Sequence, residues 1–177
     1  MDVSSQLFVE DILPEELAAI EKRMRSRVFS KASFLGRGQR LRNVVSADAA
    51  ILKELGVTYK QIGGSLKYIV HSSYQGIGTI LPGKNAFPRV PLRVSLIYSP
   101  GHQECPFFYA TESTKRGVRA YTCGKGQSNF IVENMRTHER IFFPELMSHL
   151  VRDHHFFEGD TPYRLDPERA VRVLNLV

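Results

Sequence analysis

Apolar positions recur with a helical period through the first part of the chain and alternate with polar ones after about residue 92. Leu13, Leu17, Ile20 and Met24 fall on one stripe, so the segment Pro14 to Met24 is predicted to be a helix. Pro14 suits a first turn and Asp11 stands where a cap is expected. Glu15 and Glu16 precede Lys22 and Arg23, the order the helix dipole favours. Gly36-Arg37-Gly38 breaks the pattern. A second helix is expected to open at Ser46-Ala47-Asp48, to run from Ala49 to Leu55 and to stop at Gly56. A third follows from Val57, with Thr58 as its cap, and continues through Leu66, Ile69 and Val70 across Gly63-Gly64. Between residues 74 and 91, Gly76, Gly78, Pro82, Gly83, Pro88 and Pro91 mark a loop-rich seam.

Beyond the seam the period changes to two. Leu92 to Tyr98, Phe107 to Ala110, Gly117 to Cys123, Phe130 to Asn134 and Arg140 to Phe143 read as strands, the last two as a hairpin across 135–139. Pro144-Glu145 opens a helix carrying Leu146, Met147, Leu150 and Val151 and ending near Phe156. A final helix has Asp166 as cap and Pro167 in its first position, with Ala170, Val171, Val173 and Leu174 as its packing face. The expected fold is α+β: a helical N-terminal region, about residues 1–75, then an antiparallel β-rich unit, about 92–177, closed by two C-terminal helices. At 177 residues and 42% hydrophobic, the two parts are expected to form one compact domain. No apolar run has the roughly 18 residues of a membrane span. Met1 to Ser5 lacks the basic-then-apolar start of a signal peptide, so a cytoplasmic location is expected.

Charge sharpens this picture. Eight cations lie between residues 22 and 42 with no acid among them: Lys22, Arg23, Arg25, Arg27, Lys31, Arg37, Arg40 and Arg42. The rest of the chain holds the other 16 basic residues against 18 acidic ones, so the net charge of +6 is a local property. Such a segment suits an acidic partner, whether nucleic acid, an anionic membrane or an acidic protein surface, and otherwise is a solvated face. Leu55 to Gly63 resembles the first helix of helix-turn-helix DNA-binding proteins. The next segment, Leu66-Lys67-Tyr68-Ile69-Val70-His71, is too apolar for a recognition helix, so plain packing of a helical hairpin is expected.

Candidate chemistry concentrates in the C-terminal half. His102 and Cys105 have the x2 spacing of a metal knuckle. His149 and His154 have four residues between them, within the range used by zinc-binding histidines. Five positions on an ideal helix separate two side chains by about 140°, so convergence requires a loosened last turn. The expected ligand set for a structural zinc is His102, Cys105, His149 and His154, with Cys123 able to replace His102. The order strand, hairpin, helix over residues 102–155 resembles the ββα zinc finger and treble-clef knuckles. Those families use Cys-x2-Cys, whereas here His102 precedes Cys105 and Phe108 follows it. A rival expectation is a small Cys–His enzyme built on Cys105 or Cys123, a histidine, and Asp153 or Glu104. A third is a non-catalytic protein-interaction adaptor. No phosphate-binding glycine loop is present, because Gly36-Arg37-Gly38 and Gly76-Ile77-Gly78 lack the remaining motif residues. In the string from His155 to Arg164, Phe156 and Phe157 are expected to point to different sides, one into the core and the other bracing the last helix or forming a binding surface. Tyr163-Arg164 is a candidate stacking pair, with plain core packing the leading expectation.

Overall fold

A computed structural model describes residue 9 and residues 12–74, 80–83, 87–114 and 117–177. Asp11, Gly76 and Gly78 of the expectations above lie outside them. Among the described residues, five helices and two antiparallel sheets make an α+β fold. The elements are α1 (Pro14–Met24), α2 (Leu41–Leu55), α3 (Tyr59–Ser73), β1 (Ile80–Leu81), β2 (Leu92–Glu104), β3 (Tyr109–Thr114), β4 (Gly117–Thr122), β5 (Lys125–Asn134), β6 (Arg140–Pro144), α4 (Met147–His154) and α5 (Pro167–Leu174). The main sheet has strand order β1-β2-β5-β6, and β3 and β4 form a separate hairpin. Within the long β2–β5 ladder the register shifts between Tyr98 and Gln103.

Local signals explain most boundaries. Thr58 and Gln61 form a reciprocal capping box at the start of α3. Asp166 accepts a hydrogen bond from the Arg169 N–H at 2.7 Å to start α5. Gly56 ends α2 in the left-handed conformation, with φ +67°. The start of α2 departs from expectation: it begins at Leu41, because Leu41, Val44, Val45, Asp48 and Leu52 already form a buried stripe. Its first turn is capped from a distance, the Leu41 N–H donating to the Glu21 carboxylate of α1 at 2.9 Å. Asp48 caps nothing. It is buried in the middle of α2 and receives the Arg164 guanidinium at 2.6 Å.

Two apolar clusters organise the molecule. One face of the main sheet (Val94, Phe130, Val132, Phe143) packs against Leu66 and Ile69 of α3, Val151 of α4 and Val173 of α5. The second cluster joins Ile20 and Met24 of α1, Phe34, Leu41 of α2, Cys105, Phe107, Leu150 and Phe156. Burying each large side chain contributes about 1.5–3 kcal/mol, so the second cluster is what fastens the basic segment to the β-rich half. A Cβ at Gly63 would meet the Arg152 Cβ at 2.6 Å, and its absence lets α3 lie directly against α4. α3 is thereby packed on the sheet and α4, as a core helix rather than a free recognition helix. Among the described residues no helix is long and apolar enough to cross a membrane.

Candidate metal centre

The β3–β4 hairpin brings two cysteines together. Cys105 follows the end of β2 and Cys123 follows the end of β4. Pairing of Tyr109 with Thr122 at the hairpin's base returns the chain to its starting point. The Cys105 N–H then donates to the Gly124 carbonyl at 2.9 Å. Backbone N–H groups of Phe107 and Phe108 donate to the Cys105 sulfur, the arrangement that favours a thiolate. From α1, Arg23 donates to the Pro106 carbonyl at 2.7 Å and to the Phe107 carbonyl at 3.1 Å, holding this turn in place.

α4 supplies two imidazoles. The His155 and Phe156 N–H groups both donate to the Leu150 carbonyl, and His155 adopts a left-handed φ of 55°. The last turn is thus loosened, as the five-residue spacing of His149 and His154 requires. The two rings stand nearly perpendicular, at 86°, so each presents Nε2 to the same point. The His154 ring lies flat on Phe107, with centroids 4.2 Å apart and planes 5° apart. His149 donates from Nδ1 to Asp153 at 2.7 Å, which leaves its Nε2 lone pair facing inward. Arg152 in turn fixes Asp153, at 2.6 and 2.7 Å. Glycine is required at 124, where a Cβ would lie 2.5 Å from the His149 ring.

The donor atoms of Cys105, Cys123, His149 and His154 all lie within 4.8 Å of one another. Cys123 Sγ is 3.4 Å from Nε2 of both histidines, and the two Nε2 atoms are 3.2 Å apart. With Zn–S of about 2.3 Å and Zn–N of about 2.05 Å, a tetrahedral site has S···N edges near ~3.6 Å and N···N edges near ~3.3 Å. The four residues are therefore close enough to hold a metal ion, and the three edges around Cys123 Sγ and the two Nε2 atoms are compatible with zinc. Cys105 is fully buried and His154 is 2% exposed, while Cys123 and His149 are partly exposed, so the site lies at the edge of the core.

The charge state follows the same geometry. The Cys105 thiol, hydrogen-bonded to Cys123, together with His149 and His154, pulls Cys123 down to about 3 against the effect of burial. Burial, and then the neighbouring Cys123 sulfur, push Cys105 well above the ordinary thiol range. Burial opposes charging of His149, but Cys123 and Asp153 outweigh it and raise its pKa. The cluster gathers thiol, thiolate and imidazole groups at one point, the ligand types that bind divalent metals.

His102 is not among the four. β2 stays extended through Glu104, so three steps along the strand carry His102 about 10 Å from Cys105. Its half-exposed ring sits 3.1 Å from Glu104, which also pairs with Lys125 at 3.0 Å. Cys123 occupies the place expected for His102.

The basic segment divides into two groups. Arg23 is committed to the Cys105 turn. Arg25 and Arg40 pair with the buried Glu21 at 3.3 and 3.0 Å, and Arg42 donates to the Ile12 carbonyl at 3.1 Å. Burial disfavours Glu21 ionisation, but the Leu41 N–H, Arg40 and Arg25 together hold its pKa below the ordinary value. Lys22, Arg27, Lys31 and Arg37 are exposed and make no ion pair among the described residues. No family model, curated protein or solved structure matches this chain.

Proposed function

We propose that this chain is a non-catalytic binding protein in which Cys105, Cys123, His149 and His154 hold one structural zinc ion, and which engages nucleic acid through its basic segment. One observation carries the metal reading. Four soft donors converge, all from protein, with no coordination position left for substrate, which is the pattern of structural rather than catalytic zinc. The polyanion reading rests on the exposed Lys22, Arg27, Lys31 and Arg37 beside a nearly neutral remainder. The two halves are linked through Arg23, which joins the basic helix to the cysteine turn.

Binding of a fluorescent random-sequence oligonucleotide, followed by anisotropy, tests the polyanion half. Affinity is expected to fall at least tenfold between 50 and 200 mM salt, as about three or more released counterions dictate. It should weaken further when Lys22, Arg27, Lys31 and Arg37 are replaced by Gln. Absence of any salt-sensitive binding would sink this half and leave the metal centre untouched.

Metal affinity, measured by competition with a chromogenic chelator, tests the centre's supports. Asp153→Ala removes the acceptor that orients His149, and Gly124→Ala drives a methyl group into its ring. Each is expected to weaken zinc about 10- to 100-fold. Unchanged affinity in both would show that His149 is not a ligand.

A second reading rests on the line Cys123–His149–Asp153, with contacts of 3.4 and 2.7 Å, the order of an activated thiol, its base and an orienting carboxylate. Against it, the same sulfur is also shared by His154 and Cys105, and a nucleophile needs one base and an open face. Iodoacetamide distinguishes the two: a zinc-bound Cys123 resists alkylation until a chelator is added, whereas a catalytic thiolate reacts without one.

A further inference from the structure

We infer that the nucleic acid bound by this protein is single-stranded, and that it lies on Phe108 and Tyr109 beside Arg27 and Lys31. This rests on the polyanion reading above and narrows it to a place and a ligand. Of the eight cations between residues 22 and 42, four are tied up within the molecule. Arg37 stands apart, next to Gly36, which packs against Asp160. Arg27 and Lys31 belong to the loop after α1, and that loop is fastened to the end of β2. The Glu104 N–H donates to the Phe29 carbonyl at 2.9 Å, and the Gln103 side-chain amide donates to Ser30 Oγ at 3.0 Å.

The same junction displays apolar side chains. Val28 is 80% exposed, Phe108 38% and Tyr109 39%, although a large core is available to each. The Tyr109 ring is held edge-on by the buried Phe29, with centroids 5.1 Å apart at 78°. Phe108 follows directly on the Cys105 turn that Arg23 clamps. The Tyr109 ring is therefore held before any ligand arrives, and the backbone that carries Phe108 is anchored to the Cys105 turn. Exposed apolar side chains at a junction that also carries exposed cations mark an interaction surface.

The chemistry of the patch selects its occupant. Cations alone suit any polyanion. Fixed aromatic faces add affinity only where a ligand offers flat unpaired rings, with phosphates in reach of the neighbouring cations. A duplex keeps its base faces stacked inside and offers these rings nothing. A purely acidic peptide such as polyglutamate satisfies the cations and leaves Phe108 and Tyr109 without apolar partners.

The test uses the full chain and a mixed-sequence 12-nucleotide single strand, its duplex and polyglutamate, all by anisotropy at 50 mM salt. The single strand is expected to bind at least tenfold more tightly than the duplex. Phe108→Ala and Tyr109→Leu should each cost about fivefold or more for the single strand and leave the duplex unchanged. Arg27→Gln with Lys31→Gln should weaken both ligands and flatten the salt dependence. Circular dichroism and metal content of each variant report whether its fold survives, and Tyr109→Leu keeps a bulky apolar group should Phe108→Ala unfold the turn. Equal affinity for single strand and duplex, or indifference to both ring substitutions, overturns the inference while the polyanion reading stands. Polyglutamate binding as tight as the single strand overturns it in favour of an acidic protein partner. Failure to bind any of the three overturns both.

Discussion

Removing metal with a chelator is expected to lower the melting temperature by roughly 8–16 °C, and added zinc should restore it in the wild type but not in Cys105→Ser or Cys123→Ser. The size follows from linkage. A ligand that binds only the folded state at 1,000 times its Kd stabilises by about 4 kcal/mol, and each kcal/mol is worth roughly 2–4 °C in a chain of this length. The reason for expecting so large an effect is where the centre lies. Cys105 is buried in the cluster that joins α1 to the turn before β3, His154 stacks on Phe107 of that cluster, and without a cation the site must hold two cysteine sulfurs and two imidazole rings facing one another. A buried cysteine changed to serine also destabilises by itself, so the informative comparison is the response to zinc rather than the melting temperature alone. His102→Ala provides the control. Its ring is exposed and bonded only to Glu104, so metal content and stability should stay within about 0.5 kcal/mol of the wild type. A wild-type protein whose melting temperature ignores both chelator and zinc would eliminate the metal centre.

Most of the α+β layout was legible because its signals are local. The Thr58–Gln61 box, the Asp166 cap and the Gly56 stop lie within three residues of the boundaries they set. The start of α2 was not legible, since its cap is a carboxylate 20 residues earlier on another helix. The candidate ligands divide along the same line. His149 and His154 share a helix, and their convergence needed only a loosened turn. The choice between His102 and Cys123 depended on long-range pairing. Knuckle spacing joins two residues only if the chain turns between them, and β2 remains extended there. The signal for Cys123 was the pair of alternating segments either side of residues 115–116: strands that pair as a hairpin bring their outer flanks, Cys105 and Cys123, together. Arg23 illustrates what charge counting conceals. It belongs to the basic run in sequence, yet its guanidinium serves the cysteine turn.

Glu158→Gln is expected to make the protein more stable than the wild type at pH 8, by on the order of 4–5 kcal/mol, and to change stability little near pH 4.5. Glu158 is fully buried, its backbone is left-handed at φ 65°, and its Oε1 has no hydrogen-bond partner among the described residues. Oε2 accepts one bond, from the Thr161 hydroxyl at 2.7 Å. Burial pushes the carboxyl up to about 8, against the opposing pull of Thr161 and Arg164. In the unfolded chain the group has its ordinary value, near 4.5. Below about 4.5 both states carry the proton and the group is neutral to stability relative to that limit. As the pH rises from there, the unfolded state releases its proton first, so the folded state loses ground progressively until its own carboxyl ionises near 8. Each unit of difference is worth about 1.4 kcal/mol, which sets the magnitude. Urea unfolding of both proteins at pH 5, 6.5 and 8 measures the divergence. Metal binding carries the opposite slope, because protons compete with zinc for thiolate and imidazole as the pH falls. The difference between variant and wild type at each pH removes that shared contribution and reports Glu158 together with its coupling, through Arg164, to the buried Asp48. A difference that is the same at pH 5 and pH 8 would mean that the buried carboxylate is already ionised throughout, and that Arg164 offsets its burial more fully than the single-carbonyl contact to Glu158 suggests.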